Sequence, residues 1–248
     1  MDEVFREVLT SALFLSVGIS FISAIIQGYS GFGGGLIIIP LLSIIYTPVE
    51  AITIAATASI VGSFLTLRDA LKNVEWREAA PLTLGMATVI PIGLLFLTTA
   101  DPALIRLGMG IFILIAALLM LSGWTYNGLR NYFTSAIAGI LAGISTGAFG
   151  VPGGPFLVIY YMSSNSKPKV QRANIIITVA VAMWFLLGGL IANGAGTDQT
   201  IARTVILVPI FVLGTICGRF IFNAVPSTWF SKVINLLLIA IAITILLV

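Results

Sequence analysis

Long runs of apolar residues are the feature that most narrows the folds open to this chain. A helix needs about 20 apolar residues to cross a bilayer core about 30 Å thick. Charged residues make up only 8% of the chain, against about 25% in soluble domains. The sequence therefore predicts an all-α, polytopic membrane protein. The runs of spanning length cover residues 8–27, 49–67, 80–98, 101–121, 132–149, 172–194, 202–223 and 228–248.

Two shorter apolar runs, 36–46 and 155–162, each follow a glycine-rich break. At about 1.5 Å per residue, a helix in either run covers about half of a bilayer. The breaks, 28–35 and 147–154, share the pattern G-x-x-G-x-x-G-G, and Gly147 lies 119 positions after Gly28. Each break is followed by a short run and three spanning helices. We therefore predict a single transmembrane domain, 1–248, made of two repeats, 1–123 and 124–248.

The positions of the cations predict how the two repeats are oriented. If each break is the tip of a helical hairpin, the repeats are inverted. Nine cations then lie on one side of the membrane and three on the other. If each break is a kink in one crossing, the repeats are parallel and the cations divide evenly. The positive-inside rule favours hairpins, with both termini extracytoplasmic. The nine are Arg68, Lys72, Arg77, Arg130, Lys167, Lys169, Arg172, Arg219 and Lys232, and the three are Arg6, Arg106 and Arg203.

The glycine breaks are the predicted substrate site. Non-helical backbone inside a membrane is tolerated where protein buries it or where it lines an aqueous cavity. Each short helix presents free amides and the positive end of its dipole, which suit an anion, and inverted repeats bring two such termini together near the midplane. The competing interpretation is that the glycines only allow close helix packing. The glycines expected to contact substrate are Gly33, Gly34, Gly35, Gly153 and Gly154.

Polar side chains near the breaks, and others on the helices after the short runs that could face the cavity, complete the predicted site. Hydroxyl and amide groups can donate hydrogen bonds to an oxyanion without a fixed charge that holds it too tightly. In membrane helices, however, Ser and Thr often bond to a carbonyl of their own helix or join two helices. The side chains expected to contact substrate are Gln27, Ser30, Thr57, Ser145, Thr146 and Asn174.

The residue types missing from the sequence exclude other classes of protein. With no histidine and a single cysteine, Cys217, the chain cannot form a Cys/His metal site or a disulfide framework, and we expect no cofactor. Residues 28–31 match the G-x-S-G signature of intramembrane serine proteases, but no histidine can activate Ser30, so we expect no enzyme. The net charge of +3 comes from scattered cations, which disfavours nucleic acid as a partner.

The two breaks also carry a family resemblance. Gly-Phe-Gly-Gly-Gly-Leu-Ile-Ile-Ile-Pro at 31–40, paired with Gly-Val-Pro-Gly-Gly-Pro-Phe-Leu at 150–157, resembles the TauE/SafE sulfite exporter family. The resemblance covers essentially the whole chain. It implies duplicated halves, each opened by a glycine-rich motif, in the plasma membrane of a prokaryote. It also implies a cargo such as sulfite, a sulfonate like sulfoacetate, or a related small anion.

The leading hypothesis is a carrier that moves a small anion by alternating access between the two inverted repeats. An anion channel or passive uniporter is the first alternative, because none of the nine acidic residues lies deep in a predicted span. The second alternative is a membrane subunit that binds a partner protein. The expected partners are the small anion and the lipid bilayer, and a homo-oligomer is compatible with the sequence.

Overall fold

The structure is a computed structural model that describes residues 10–31, 33–222 and 227–247, with their side chains except at 154, 155 and 222–233. These residues form helices and no β-strand, which confirms the all-α class. The predicted placements of Arg6, of the Lys232 side chain and of both chain ends lie outside the described residues. The helices are α1 Ser11–Ser30, α2 Gly35–Ile45, α3 Pro48–Asn73, α4 Trp76–Thr99, α5 Pro102–Leu121, α6 Tyr132–Phe149, α7 Gly154–Met162, α8 Pro168–Ala192, α9 Asp198–Phe222 and α10 Ser227–Leu247.

Seven of the helices within the described part of the chain are long and apolar enough to cross a membrane, which confirms a polytopic protein. They are α1, α3, α4, α5, α6, α8 and α9. The predicted run 228–248 corresponds to α10, which is 21 residues long. The predicted short runs correspond to α2 and α7, with 11 and 9 residues.

Equivalent glycines end the first long helix of each predicted repeat. Gly31 closes α1 with φ 88°, and Gly150 closes α6 with φ 70°. This left-handed conformation costs glycine little because it has no Cβ. In each case the glycine N–H donates to the carbonyl four residues earlier, at 2.7 Å for Gly31 and 2.8 Å for Gly150. The repeated motif therefore places two equivalent helix stops.

The short helix after each break turns back along the long helix before it. Ser16, near the beginning of α1, donates a hydrogen bond of 2.9 Å to the Tyr46 hydroxyl, just after α2. In the second repeat, the hydroxyls of Ser135 in α6 and Tyr160 in α7 are 2.7 Å apart. Because the chain reverses at each break, each pair is a hairpin and not one kinked crossing. We call them the first hairpin, α1–α2, and the second hairpin, α6–α7.

The hairpins point in opposite directions along α3. The tip of the first hairpin lies beside the beginning of α8, where Arg172 donates to the Gly28 carbonyl at 2.9 Å. The tip of the second hairpin lies beside the beginning of α3, where a Cβ on Gly150 would be 2.4 Å from Ile52. The end of α3 and the beginning of α8 line one cavity, so these two packed helices run in opposite directions. Inverted repeats would have this arrangement, and the inversion itself stays a prediction. The orientation in a bilayer stays a prediction.

The long helix of each hairpin packs against the other repeat. Helix α1 packs mainly on α9, and α6 packs on α4. Glycines allow the helices to approach closely, since a Cβ on Gly218 would be 2.1 Å from the Ile25 carbonyl oxygen. At the other contact, a Cβ on Gly139 would be 2.1 Å from the Leu82 carbonyl oxygen. The long helix of each hairpin is thereby covered by a helix from the other half of the chain.

Candidate functional site

The two glycine breaks meet inside the bundle. Gly35, the first residue of α2, lies against Pro152 of the second break, and both are buried. A Cβ on Gly35 would be 2.6 Å from Pro152 Cγ and 2.7 Å from Cδ, closer than carbon atoms can pack. The structure thus brings together the two segments that the sequence analysis expected to face each other.

Gly34 fits close against α1. A Cβ on Gly34 would be 2.6 Å from Gln27 Cβ and 2.7 Å from the Ser23 carbonyl oxygen. Its own carbonyl accepts the amides of Ile37 and Ile38, at 3.1 and 2.9 Å, and so begins α2. As first residues of that helix, Gly35 and its successor have no intrahelical acceptor for their N–H groups. Gly34 therefore serves packing, and α2 presents its amide end next to the second break.

The amides of Gly33 and Gly153 are held by hydroxyls of their own hairpins. Gly33 N–H donates to Ser30 Oγ at 3.0 Å, and Gly153 N–H donates to Thr146 Oγ1 at 2.8 Å. Thr146 is completely buried and donates in turn to the Ala142 carbonyl at 2.7 Å. Ser30 and Thr146 thus act in this conformation as acceptors for the breaks. An anion would have to replace these hydroxyls to reach the two amides.

Gly154 is the first residue of α7, after an N-cap at Gly153 with φ 66°. Its backbone therefore occupies the helix terminus that the sequence analysis proposed for it. Because the helix follows a left-handed residue, the chain turns sharply between the two glycines. The roles of Gly153 and Gly154 as substrate contacts stay predictions.

Gln27 lies in a small buried cavity at the first break. Its Oε1 accepts a hydrogen bond of 3.3 Å from Ser59 of α3, and both residues are buried. We call this the inner cavity; its volume is about 10 Å³, and its polar lining includes Ser63 and Thr66 of α3 and Thr215 of α9. A cavity of roughly 10–15 Å³ holds a single water molecule. The inner cavity is therefore closed in this conformation and too small for a sulfite-sized anion.

Two of the predicted hydroxyls bond to their own helices. Thr57 donates to the Thr53 carbonyl at 2.9 Å, and Ser145 donates to the Ala142 carbonyl at 2.9 Å. These are the i−4 and i−3 bonds of the competing interpretation. They leave Thr57 and Ser145 without a cross-helix bond through their hydroxyl protons.

Asn174 joins α8 to the beginning of α4 and not to a glycine break. It is fully buried, accepts the Glu75 amide at 2.9 Å and donates to Glu78 Oε2 at 3.3 Å. Glu78 also forms an ion pair with Arg130. Because α4 and α8 run in the same direction, a residue in the second turn of α8 lies level with the first turn of α4. Asn174 is therefore placed with an ion pair that the sequence analysis did not anticipate.

Two serines of α1 that were not predicted as site residues also lie in the interior. Ser20 and Ser23 are completely buried, and their hydroxyls have no hydrogen-bond partner within the described residues. Together with Ser16 and Gln27 they follow a spacing of three and four residues, which places all four on one face of the helix. Buried hydroxyls normally find partners, so these two need an explanation. The serine spacing was the signal available in the sequence.

Arginines hold the carboxyl ends of both short helices. Arg106 of α5 donates to the Ser43 carbonyl at 2.7 Å, at the end of α2. Arg130 donates to the Tyr160 carbonyl at the end of α7. A cation at a helix C-terminus stabilises the helix through its dipole and its unpaired carbonyls. Each short helix therefore has its negative, carboxyl end neutralised by an arginine far from the break. Its positive, amino end lies at the break.

These features define a class of protein, a multi-pass α-helical membrane protein whose interior encloses two glycine-broken hairpins. The sequence model of the family described as "Sulfite exporter TauE/SafE" matches residues 16–245. The chain belongs to the TauE/SafE sulfite exporter family, which confirms the resemblance drawn from the two breaks.

Two relatives have descriptions that agree with this family. A protein of Cupriavidus necator described as "Probable sulfite/organosulfonate exporter TauE" is 28% identical over 205 residues, which are 78% of this chain and 77% of the relative. A "probable membrane transporter protein" of Methanocaldococcus jannaschii is 27% identical over 204 residues, 76% of this chain and 74% of the relative. No solved structure matches the chain. Family and relatives together make the protein a multi-pass membrane transporter.

Proposed function

We propose that the protein carries sulfite or a small organosulfonate across the plasma membrane and binds the oxyanion where its two glycine breaks meet. The observation that carries the proposal is the contact of Gly35 with Pro152, which joins two interrupted helices inside the bundle. Interrupted helices at a repeat interface are where secondary transporters bind their cargo. The description of the Cupriavidus necator relative supports sulfite and organosulfonates as the class of cargo.

The groups around the meeting point suit an oxyanion. The amino ends of α2 and α7 supply partial positive charge and amide donors. The hydroxyl of Ser23, which has no hydrogen-bond partner within the described residues, belongs to the residue against which Gly34 packs. Sulfite and sulfonate groups each have three oxygen atoms that accept hydrogen bonds from several directions. A set of neutral donors can therefore bind them and still release them.

The closed inner cavity favours a carrier over an open channel. At about 10 Å³ it has no room for the cargo, so the helices that line it beside the first break have to move before an anion can enter. The tips belong to different repeats and point in opposite directions. Movement of one repeat against the other would open the meeting point to each side of the membrane in turn.

The first experiment is sulfite transport by the purified protein in liposomes. A carrier shows saturation and counterflow, and a channel shows neither. Flux of sulfite or sulfoacetate without saturation or counterflow would replace the carrier by a passive anion channel. Complete absence of flux for sulfite, sulfoacetate and ethanesulfonate would overturn the proposal and favour a membrane subunit that serves a partner protein.

The second experiment tests the binding groups with a matched pair of serine variants. Ser23→Ala removes a buried hydroxyl that makes no hydrogen bond within the described residues, so the melting temperature should not fall. If that hydroxyl binds the cargo, the KM for sulfite should rise about fivefold or more.

The control is Ser43→Ala, which removes an equally buried serine whose hydroxyl bonds to the Pro40 carbonyl at 2.7 Å. Its KM should match that of the unmodified protein. An unchanged KM in Ser23→Ala, with transport otherwise intact, would exclude this hydroxyl from the binding site.

A further inference from the structure

A second cavity lies outside the tip of the first hairpin. Its volume is about 380 Å³, and it lies between the carboxyl ends of α3 and α9 and the beginning of α8. We call it the cationic vestibule, because its lining includes four cationic side chains, Lys72, Lys169, Arg172 and Arg219. The positive-inside rule assigns these residues to the cytoplasmic side.

Positive charge exceeds negative charge in the cationic vestibule. Among its described lining residues, Asp69 is the one acid, and its carboxylate is 3.6 Å from the Arg219 guanidinium. Arg219 also donates to the Leu65 carbonyl at 2.7 Å, which fixes the guanidinium at the wall. A guanidinium has five N–H donors in a planar fork that matches the oxygens of an oxyanion. The cavity therefore has the charge and the donors of an anion site.

Arg172 connects the cationic vestibule to the first glycine break. Its Nη2 donates to the Gly28 carbonyl at 2.9 Å, at the first glycine of the motif. A Cβ on Gly31 would lie 3.5 Å from Arg172 Cγ, so the arginine stem lies along the tip of the hairpin. An anion that draws this guanidinium into the vestibule would compete with the carbonyl. Anion binding at this guanidinium would therefore be coupled to the position of the hairpin tip.

The cationic vestibule and the inner cavity share a wall. Thr66 and Ile176 line both cavities, one from α3 and the other from α8. Thr66 is buried and donates to the Ser63 carbonyl at 3.1 Å. The wall between the cationic vestibule and the inner cavity is thus only one layer of side chains thick.

We propose that the cationic vestibule is a docking site for the transported oxyanion, and that Arg172 passes the anion from the vestibule to the first glycine break. The proposal rests on the proposed function and adds a site, a direction of approach and a residue that couples occupancy to the hairpin. The ligand class is a small sulfur oxyanion with at least two oxygens free to bind guanidinium.

The alternative explanation is that the cations only follow the positive-inside rule. Lys167 and Lys169 separate the two explanations, because both are exposed and lie at the beginning of α8. Lys169 lines the cationic vestibule, whereas Lys167 is not among its lining residues. Replacing either lysine removes the same charge from the same end of the molecule. The two replacements should therefore affect sulfite binding differently only if the cationic vestibule binds the anion.

The experiment measures sulfite binding to the purified protein in detergent, where both faces are accessible. Sulfite is titrated while the melting temperature is followed, for the unmodified protein and for Lys169→Gln, Lys167→Gln and Arg172→Lys. Lys169→Gln should raise the apparent Kd about two- to fivefold at low salt, with a smaller effect at high salt. Arg172→Lys keeps the charge but loses the fork and should raise the Kd about tenfold or more. Lys167→Gln should leave the Kd unchanged.

The outcomes separate the docking site from the proposed function. Equal changes in the Kd of Lys167→Gln and Lys169→Gln, or no change in Lys169→Gln and Arg172→Lys, would overturn the docking site while transport could continue. Sulfite binding that depends on Lys169 and Arg172, in a protein that moves no sulfur oxyanion in liposomes, would support the docking site and overturn the carrier. The melting temperature of Arg172→Lys without sulfite tests whether this variant is folded; an unchanged value shows that it is.

Discussion

The contact between Gly35 and Pro152 makes the sharpest prediction, because it joins the two repeats through one glycine. An alanine at position 35 would place its Cβ 2.6 Å from Cγ and 2.7 Å from Cδ of the proline ring. These distances are about 1 Å shorter than an optimal carbon–carbon separation of about 3.5–4.0 Å. The ring is rigid and cannot turn away, so the breaks have to move apart. Overpacking of this kind costs about 1–3 kcal/mol.

The effect at position 35 is steric and does not arise from backbone conformation. Gly35 is helical, and it is not among the glycines with positive φ. Gly18→Ala is the matched control, since a Cβ there would meet nothing within 4 Å. That control should leave the protein as stable or stabilise it by about 0.5–1 kcal/mol, as expected for glycine to alanine inside a helix.

Thermal unfolding in detergent, followed by the fluorescence of the four tryptophans, measures both variants. Gly35→Ala should melt several degrees below Gly18→Ala. Pro152→Ala removes the ring atoms that clash, so the double variant Gly35→Ala/Pro152→Ala should be more stable than the sum of the two single changes. Residues in contact show coupling of about 0.5–3 kcal/mol in such a cycle. Strictly additive effects would refute the contact between the two breaks.

Two further predictions concern hydroxyl groups of the second hairpin. Thr146→Val removes the acceptor of the Gly153 amide and should cost about 1–3 kcal/mol in thermal unfolding, because the buried N–H is left unpaired. Ser145→Ala removes a hydroxyl that, among the described residues, bonds only within its own helix, so it should cost less. Equal losses would contradict the assigned role of Thr146. Ser135→Ala and Tyr160→Phe should each lower stability by about 0.5–1.5 kcal/mol and should not add in the double variant, since one bond joins the two hydroxyls. If the losses of Ser135→Ala and Tyr160→Phe add in the double variant, other contacts hold together the end of the second hairpin opposite its glycine break.

The helices could be predicted from the lengths of the apolar runs, because a bilayer admits few other structures. The short runs 36–46 and 155–162 correspond to Gly35–Ile45 and Gly154–Met162 within one or two residues. The largest error is at the end of the run 49–67, because the corresponding helix continues to Asn73. Arg68 and Asp69 end the apolar run, but a helix can continue through charged residues where it extends out of the lipid.

The candidate site could be predicted only in part, because its contacts join residues that are far apart in the sequence. The repeat pattern indicated correctly that the two breaks come together. The same offset of 119 residues relates Gln27 to Thr146, yet Gln27 accepts a hydrogen bond from Ser59 of α3, whereas Thr146 accepts the amide of Gly153 in its own hairpin. Asn174 was expected to face the substrate cavity from the helix after the second short run. Its neighbours are set by how α4 packs on α8, and a local sequence pattern does not show how two distant helices pack.

The exchange of partners between the repeats has a consequence for biogenesis. Helix α1 is covered by α9, which leaves the ribosome only after most of the chain has been made. Until α9 has been inserted, the glycine-containing face of the first hairpin is therefore exposed to lipid. Fragments 1–123 and 124–248, produced separately, would each lack the helix that shields their hairpin. They would recover a closed interior only by intertwining with one another.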